Sequence, residues 1–499
     1  MATVSPSMPP SPPANPFVLP QETKTPPEGM QSAGGLLQRL ATALESSGLQ
    51  YCQWKGHWSS HRWSTGFGNV DLLVARGELS RFRALMGELG FKPAQPQGHR
   101  MIPGVETYFG YDPAVPRLLH LHVHYQLVLG DYWKPAYRIP FERELLDRSV
   151  PGQLFRIPAP TDQFLVFVLR LMLRQVGRPL LSLQTRWTSG VQIQLDSLEA
   201  GSDRGELAAL LKRHLNLDCS VFDRCVRSLR GECSTLERAI LPWLMHRQLR
   251  ARVRRPSAAA VLSAAAEKLV PALGQRGRGA HLSGGGAVFA LIGGDGAGNS
   301  TCTREMVGWL EPAFPTMPAD LENPPRSLTT LVVGAALELQ HRIERRLKRP
   351  NRADGPIELL RHLCTARDRH RLYLRVQRFA AAGGIAICEG YPIEQNRALV
   401  GPAIAGLLTG QIGPAAAWVR RAEASYYERI LCPDGIFVLR LDPELAVQRK
   451  PNEPADSVRG RSRIIWETDW RLTEAHVVAA SRPLPEILQR LKELLWSIL

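Results

Sequence analysis

Ala287-Val288-Phe289-Ala290-Leu291-Ile292, followed at once by Gly293-Gly294-Asp295-Gly296-Ala297-Gly298-Asn299-Ser300, is the stretch that decides the fold of the second half of this chain. Six apolar residues in a row read as a strand buried on both faces. The glycines behind it let the chain curl so that successive backbone N–H groups point inward. A helix starting at the far side adds the positive end of its dipole. Such a loop cradles a polyphosphate. Residues 293–300 fit the pattern G-x-x-x-x-G-K-[ST] at every fixed position but one. Asn299 stands where a lysine would reach the β- and γ-phosphates. Its amide can donate a hydrogen bond but carries no charge. Ser300 can place its hydroxyl on a magnesium ion. The plainer reading is a glycine turn that only joins strand to helix.

Working outward, Thr303 to Leu310 is expected as the helix behind the loop. Ile385-Ala386-Ile387-Cys388 and Ile436-Phe437-Val438-Leu439-Arg440-Leu441 are expected as further strands, with helices between them. Strands alternating with helices argue an α/β domain with a parallel sheet covered on both faces, here 287–499. The glycine-rich stretch 274–286 before it reads as a linker. Leu399 to Val419 carries no charge, but its two prolines and four glycines favour buried or loop-rich structure over a membrane span.

Four ordered motifs carry a family resemblance. GGDGAGNST, residues 293–301, resembles the thymidylate kinase loop G-x-D-G-A-G-K-S-T, so Gly293, Asp295, Gly296, Ala297, Gly298, Asn299, Ser300 and Thr301 are the expected cofactor-binding residues. Thr365-Ala366-Arg367-Asp368-Arg369-His370 resembles the family's A-x-D-R segment, in which the arginine that faces the monophosphate maps to Arg369, with Arg367 beside it. Gly383 to Pro392 resembles the strand ending in Asp-Arg-Tyr; Glu389 stands for the aspartate, Gly390 stands where the arginine belongs, and Tyr391 follows. Leu441-Asp442-Pro443-Glu444-Leu445-Ala446 resembles the start of the lid segment, whose cations are Arg449, Lys450, Arg459, Arg461 and Arg463. The resemblance covers about 285–499. It implies ATP and Mg2+ as cofactors, with Ser300 and Glu389 toward the metal. Arg367, Arg369 and Tyr391 would face the phosphorylated acceptor, and Glu389, Arg369 and Lys450 would be the catalytic set. Lys450 is the candidate to replace the missing loop lysine.

The first half reads differently. A proline-rich tail, 1–32, precedes a helix from Leu36 to Ser47 with Leu36, Leu37, Leu40 and Leu44 at helical spacing. Asn69 to Val74 reads as a strand, Leu79 to Leu89 as a helix, and Leu118 to Leu129 alternates at period two. This gives a mixed α/β domain, 36–155. A helical segment, 160–273, opens near Thr161 with Asp162 as a capping candidate. Trp54-Lys55 and Gly66 to Val74 resemble the nucleotidyltransferase fold, which carries G-x-x-D-x-D on a strand so that two carboxylates share metal ions. Here Asn69 occupies the first carboxylate position, and Asp71 alone remains as a metal candidate. His120, His122 and His124 occupy the strand that resembles the family's third carboxylate site. They read either as a metal cluster or as a polar sheet face with hydrogen-bonded histidines.

The chain has 499 residues, too many for one core, and a net charge of +16 carried by 53 arginines and only nine lysines. Arginine suits phosphate, though an arginine-rich coding bias gives the same count. Eight scattered cysteines, with no zinc spacing and no signal peptide, read as reduced thiols of a cytoplasmic protein. The partners expected are a nucleotide and a small phosphorylated acceptor, with no specific nucleic acid and no membrane span; a homodimer is left open. Two readings follow. One is an ATP-dependent phosphoryl-transfer enzyme. The other is an impaired nucleotide-binding or regulatory protein, favoured by Asn299, Gly390 and Asn69 together. Fusions of these two kinds of domain resemble bacterial proteins linked to cell-surface polysaccharide synthesis.

Overall fold

Leu36, Leu37, Leu40 and Leu44 line the buried side of the helix Leu36–Ser46, as their spacing requires. The computed structural model describes residues 35–96, 102–129, 136–176, 189–254, 279–347, 355–408 and 413–499, and all structural statements concern these. The proline-rich tail, the end of the helical segment and residues 274–278 lie outside them.

The first sheet is built from β1 (Tyr51–Lys55), β2 (Asn69–Val74), β3 (Lys92–Pro96), β4 (Val105–Gly110) and β5 (Leu119–His124). A short three-stranded sheet joins β6 (Val128–Leu129), β7 (Ala136–Arg138) and β8 (Val253–Arg254). The stretch expected as linker behaves otherwise: β9 (Ala280–Leu282) pairs antiparallel with β3, completing the order β1-β2-β5-β4-β3-β9. Three residues flanked by glycines are too few to show a period of two, so the sequence carries no strand signal there. Only β2 and β5 run parallel, which makes this sheet mixed.

The helical segment includes Pro160–Leu173, Ser189–Ala200, Cys219–Arg230 and Thr235–Gln248. Asp162 does not cap the first of these. Pro160 takes the first helical position behind Ala159, and Asp162 is buried inside the first turn, 3.5 Å from Arg148.

The second sheet is wholly parallel: β10 (Ala287–Gly293), β11 (Thr316–Asp320), β12 (Ile385–Glu389), β13 (Gly435–Arg440) and β14 (Ala475–Ala479), in the order β11-β12-β10-β13-β14. The quoted apolar run is thus a central strand. Phe289 and Leu291 pack with Cys302, Met306 and Leu310 of the helix Asn299–Leu310 and with Leu491 and Leu495 of the last helix. Val288, Ala290 and Ile292 face the other way, onto Leu372, Tyr373 and Val376 of the long helix Pro356–Ala381. Burial on both faces explains why the run has no polar alternation. One apolar core also joins the two sheets: Phe109 of β4 meets Phe314 at 4.8 Å, and Leu282 of β9 shares a cluster with Trp309 and Trp496. No helix among the described residues is long and apolar enough to cross a membrane.

Candidate functional site

The glycine loop sits at the carboxyl edge of β10, where open α/β sheets hold their ligands. Gly298 has φ +95 and caps the helix Asn299–Leu310 without a side-chain hydrogen bond. A left-handed backbone at that point suits glycine, and no side chain caps the first N–H groups of the helix. Ala297 N donates to Gly294 O at 3.2 Å, which closes the loop.

Asn299 does not project into the site as a loop lysine would. Its Nδ2 donates to Gly293 O at 2.8 Å, and its Oδ1 is buried without a hydrogen-bond partner. The side chain braces the loop from behind. Ser300 Oγ donates to Glu389 Oε2 at 2.8 Å, joining the helix start to the end of β12. Thr301 lies half-buried one residue on. In the parallel register Asp320 at the end of β11 stands opposite Glu389, so two carboxylates share this edge. Asp320 went unnoticed in the sequence because Pro315 and Pro318 disguise the short strand that ends in it; the apolar Met317 and Ala319 before an aspartate were the available signal.

The fit to magnesium can be judged from this geometry. Ligands at about 2.0–2.1 Å in an octahedron place neighbouring oxygens about 2.9 Å apart. The Ser300–Glu389 spacing matches that span, and a hard oxygen donor set is what magnesium takes.

The acceptor-side residues are more committed than expected. Arg369 is 6% exposed; its guanidinium donates to Leu321 O at 2.5 Å, to Glu322 O at 3.0 Å and to the Tyr427 hydroxyl. It pins the loop after β11 rather than reaching into open space. Arg367 donates to Ser327 Oγ at 2.6 Å and to Asp368 at 3.2 Å. Tyr391 is fully buried, and its hydroxyl donates to Leu431 O at 2.8 Å, so it serves the core. Gly390 has φ +61, and a Cβ there would fall 2.4 Å from Glu322 Cβ. The arginine of the family pattern has no room at this position, because the loop held by Arg369 fills it.

The lid cations divide. The helix Ala455–Glu467 lies over the loop, with Ser462 Oγ donating to Asp295 O at 3.3 Å. From this helix Arg461 reaches Asp295 Oδ2 at 3.1 Å and also pairs with Glu322. Arg449 donates to Gly296 O at 3.3 Å and Ala480 O at 3.1 Å. Lys450 pairs instead with Glu453 at 2.8 Å, and Arg459 with Glu444 at 2.6 Å and Asp456 at 2.9 Å. Arg461 is therefore the cation bound to the glycine loop's own carboxylate. Glu322 and Tyr427, which anchor the arginines, carried no motif and were not foreseen.

Asp71 belongs to a separate place. It sits on β2 with Lys55 Nζ at 3.0 Å, Asn69 Nδ2 at 2.7 Å, His124 Nε2 at 3.3 Å and His122 Nδ1 at 3.4 Å. Burial alone would raise its pKa, but the Lys55 ammonium and the two histidines outweigh that and hold the carboxyl well below its usual range. His120 turns to Phe109, stacking at 4.5 Å. The three histidines form a hydrogen-bonded and stacked sheet face, and no group of three or more His, Cys, Asp or Glu among the described residues is placed to hold a metal ion.

Comparison of the chain with models of known protein families and with curated proteins finds no match.

Proposed function

We propose that the carboxyl-terminal domain binds ATP with Mg2+ on residues 293–301 and transfers a phosphoryl group to a nucleoside monophosphate or a related small phosphate acceptor, in the manner of thymidylate kinase. The observation that carries this reading is the Ser300–Glu389 pair at 2.8 Å, set beside a glycine loop whose helix has no side-chain cap on its first N–H groups. The loop backbone would hold the β-phosphate, and Ser300 and Glu389 would hold the magnesium, which neutralises charge on the transferring group. Arg461 and Arg449 lie against the loop and would meet the donor phosphates by exchanging their present partners, Asp295 and Glu322 for the first and the Gly296 and Ala480 carbonyls for the second.

A second reading, nucleotide binding with impaired transfer and a regulatory role, rests on two observations. Asn299 is turned back onto Gly293 O, and Arg369 has its donors on Leu321, Glu322 and Tyr427. The uncharged Asn299 and the engaged Arg369 each leave a transferring phosphate without a charge contact, which costs several kcal/mol of transition-state stabilisation. A setting in bacterial cell-surface polysaccharide synthesis belongs to either reading.

The test is a calorimetric titration with ADP and ATP, with and without Mg2+, followed by a coupled phosphotransfer assay across nucleoside monophosphates. Phosphotransfer that falls at least about a hundredfold in Glu389→Gln supports the first reading. Nucleotide binding without transfer to any acceptor supports the second. Absence of binding at millimolar nucleotide removes both.

A further inference from the structure

A cavity of about 1100 Å3 opens between the helix Leu79–Glu88 and the β3–β4 pair of the first sheet. Asp71, His122 and Thr107 share one row across β2, β5 and β4 and so face one side of that sheet. Glu106 and Tyr108, on either side of Thr107, face the other, where Tyr108 packs with Phe82 and Met86 of the helix. The cavity is lined by apolar and aromatic groups from Leu79, Phe91, Pro93, Val105, Tyr108 and Tyr125. Its size matches the upper end of small-molecule sites, which run to about 1000 Å3.

The charges in its wall do not balance. Glu106 is the one acid there among the described residues, and it is already saturated. Its Oε1 accepts from Arg83 Nε at 3.0 Å and from Arg83 Nη2, and its Oε2 accepts from the Tyr108 and Tyr125 hydroxyls at 2.8 and 3.0 Å. Three arginines also line the cavity. Arg83 has Nη1 left over after Glu106. Arg254 donates only to neutral groups, Pro103 O at 3.0 Å and Gln126 Oε1. Arg76 is exposed and pairs with no group among the described residues. Apolar walls focus the field of such cations, and a guanidinium is shaped to take carboxylate or phosphate oxygens.

Gly87 lies inside the helix and in the same wall, and no neighbouring atom comes within 4 Å of where its Cβ would stand. A glycine weakens a helix interior, but here the missing side chain leaves the cavity wall open.

We propose that this cavity binds a small organic acid, an apolar body carrying a carboxylate or phosphate group. The body lies against Phe91 and the tyrosine rings, and the acid meets Arg76 and Arg254. The saturated Glu106 holds Arg83 and the two tyrosines in place without repelling the ligand.

Calorimetry on the full chain at pH 7 is the test, with naphthoate and naphthyl phosphate as probes and naphthol as the neutral control. At least one of the two acids should bind, and whichever binds more tightly names the acid group. Naphthol should bind at least about tenfold more weakly, as the loss of one charged hydrogen bond implies. Gly87→Trp should abolish binding by filling the cavity, whereas Gly87→Ala should keep it. Arg76→Gln combined with Arg254→Gln should weaken it at least about tenfold. The proposal is overturned if neither acid binds at millimolar concentration, if naphthol binds as well as the acids, or if Gly87→Trp binds like the parent. Binding that saturating ADP with Mg2+ removes would belong to the glycine loop and would overturn it too. Should Gly87→Trp fail to fold, the double arginine variant decides: weakened binding supports the site, and unchanged binding overturns it.

Discussion

Arg461 Nε lies 3.1 Å from Asp295 Oδ2, so the helix over the glycine loop is tied to the loop by an ion pair between its own arginine and the loop's own aspartate. Arg461 also holds Glu322, which ties in the segment after β11. Arg461→Ala should therefore loosen the helix Ala455–Glu467 and remove a cation from the proposed phosphate site. ADP affinity should fall roughly tenfold or more, on a charged hydrogen bond worth about 1.5–3 kcal/mol. Calorimetry reads the affinity, and faster amide exchange across 455–467 reads the loosening.

Asn299→Lys is expected to tighten ADP and ATP binding by about tenfold, because it adds a charge where the proposed polyphosphate would bend around the loop. The new side chain must leave the bond that Asn299 makes to Gly293 O, and thermal unfolding will show what that costs. Unchanged affinity in a folded variant would mean that the loop does not hold phosphate in the expected geometry.

Gly390→Arg, which restores the resembled pattern, should damage the fold instead of improving the site. A side chain at φ +61 costs about 1–2 kcal/mol. The contact at 2.4 Å with Glu322 Cβ adds overpacking of about 1–3 kcal/mol. Urea unfolding should show a midpoint lowered accordingly, with no gain in phosphotransfer.

Acid should destabilise the protein between about pH 6.5 and pH 4. Burial holds His124 at about 4, His57 at about 4 and His120 at about 3, whereas each titrates near 6.5 when unfolded. In that window the unfolded chain binds more protons, so stability falls as pH falls. His124, only 4% exposed, contributes up to about 3 kcal/mol of this loss at about 1.4 kcal/mol per unit. Asp162 works in the opposite sense: burial raises it to about 6, so its contribution to stability is lost as pH rises toward 6. Urea midpoints at pH 7, 5.5 and 4.5 should fall in that order, and less steeply in a variant lacking His124.

Residues whose reading depended on near neighbours were legible in the sequence. Ala287–Ile292 announced a strand buried on both faces, and the helical spacing of Leu36, Leu40 and Leu44 announced one buried helix face. The glycines of 293–298 placed the loop at the end of its strand. What the sequence could not show depended on partners far along the chain. Arg369 could be placed on a helix from sequence, but the carbonyls of Leu321 and Glu322 that absorb its donors lie 48 and 47 residues away. Tyr391 looked like a ligand contact and is core, because only the folded chain brings Leu431 O to its hydroxyl. Lys55 was legible only as part of a resembled motif, since its ion pair exists only once β1 lies beside β2 and brings it to Asp71.

The strand β9 has a consequence for how this chain can be cut. It is the outermost strand of the first sheet, yet only residues 283–286 separate it from β10 at the centre of the second. A cut at 283–286 would leave β9 on β3, but a cut before Ala280 would strip it from its sheet. The row of backbone donors and acceptors on β3, from Ala94 to Pro96, would then lie bare. Uncovered edges of that kind recruit strands from other molecules. Residues 1–279 produced alone should accordingly be prone to self-association, and extending them through Ser283 should relieve it.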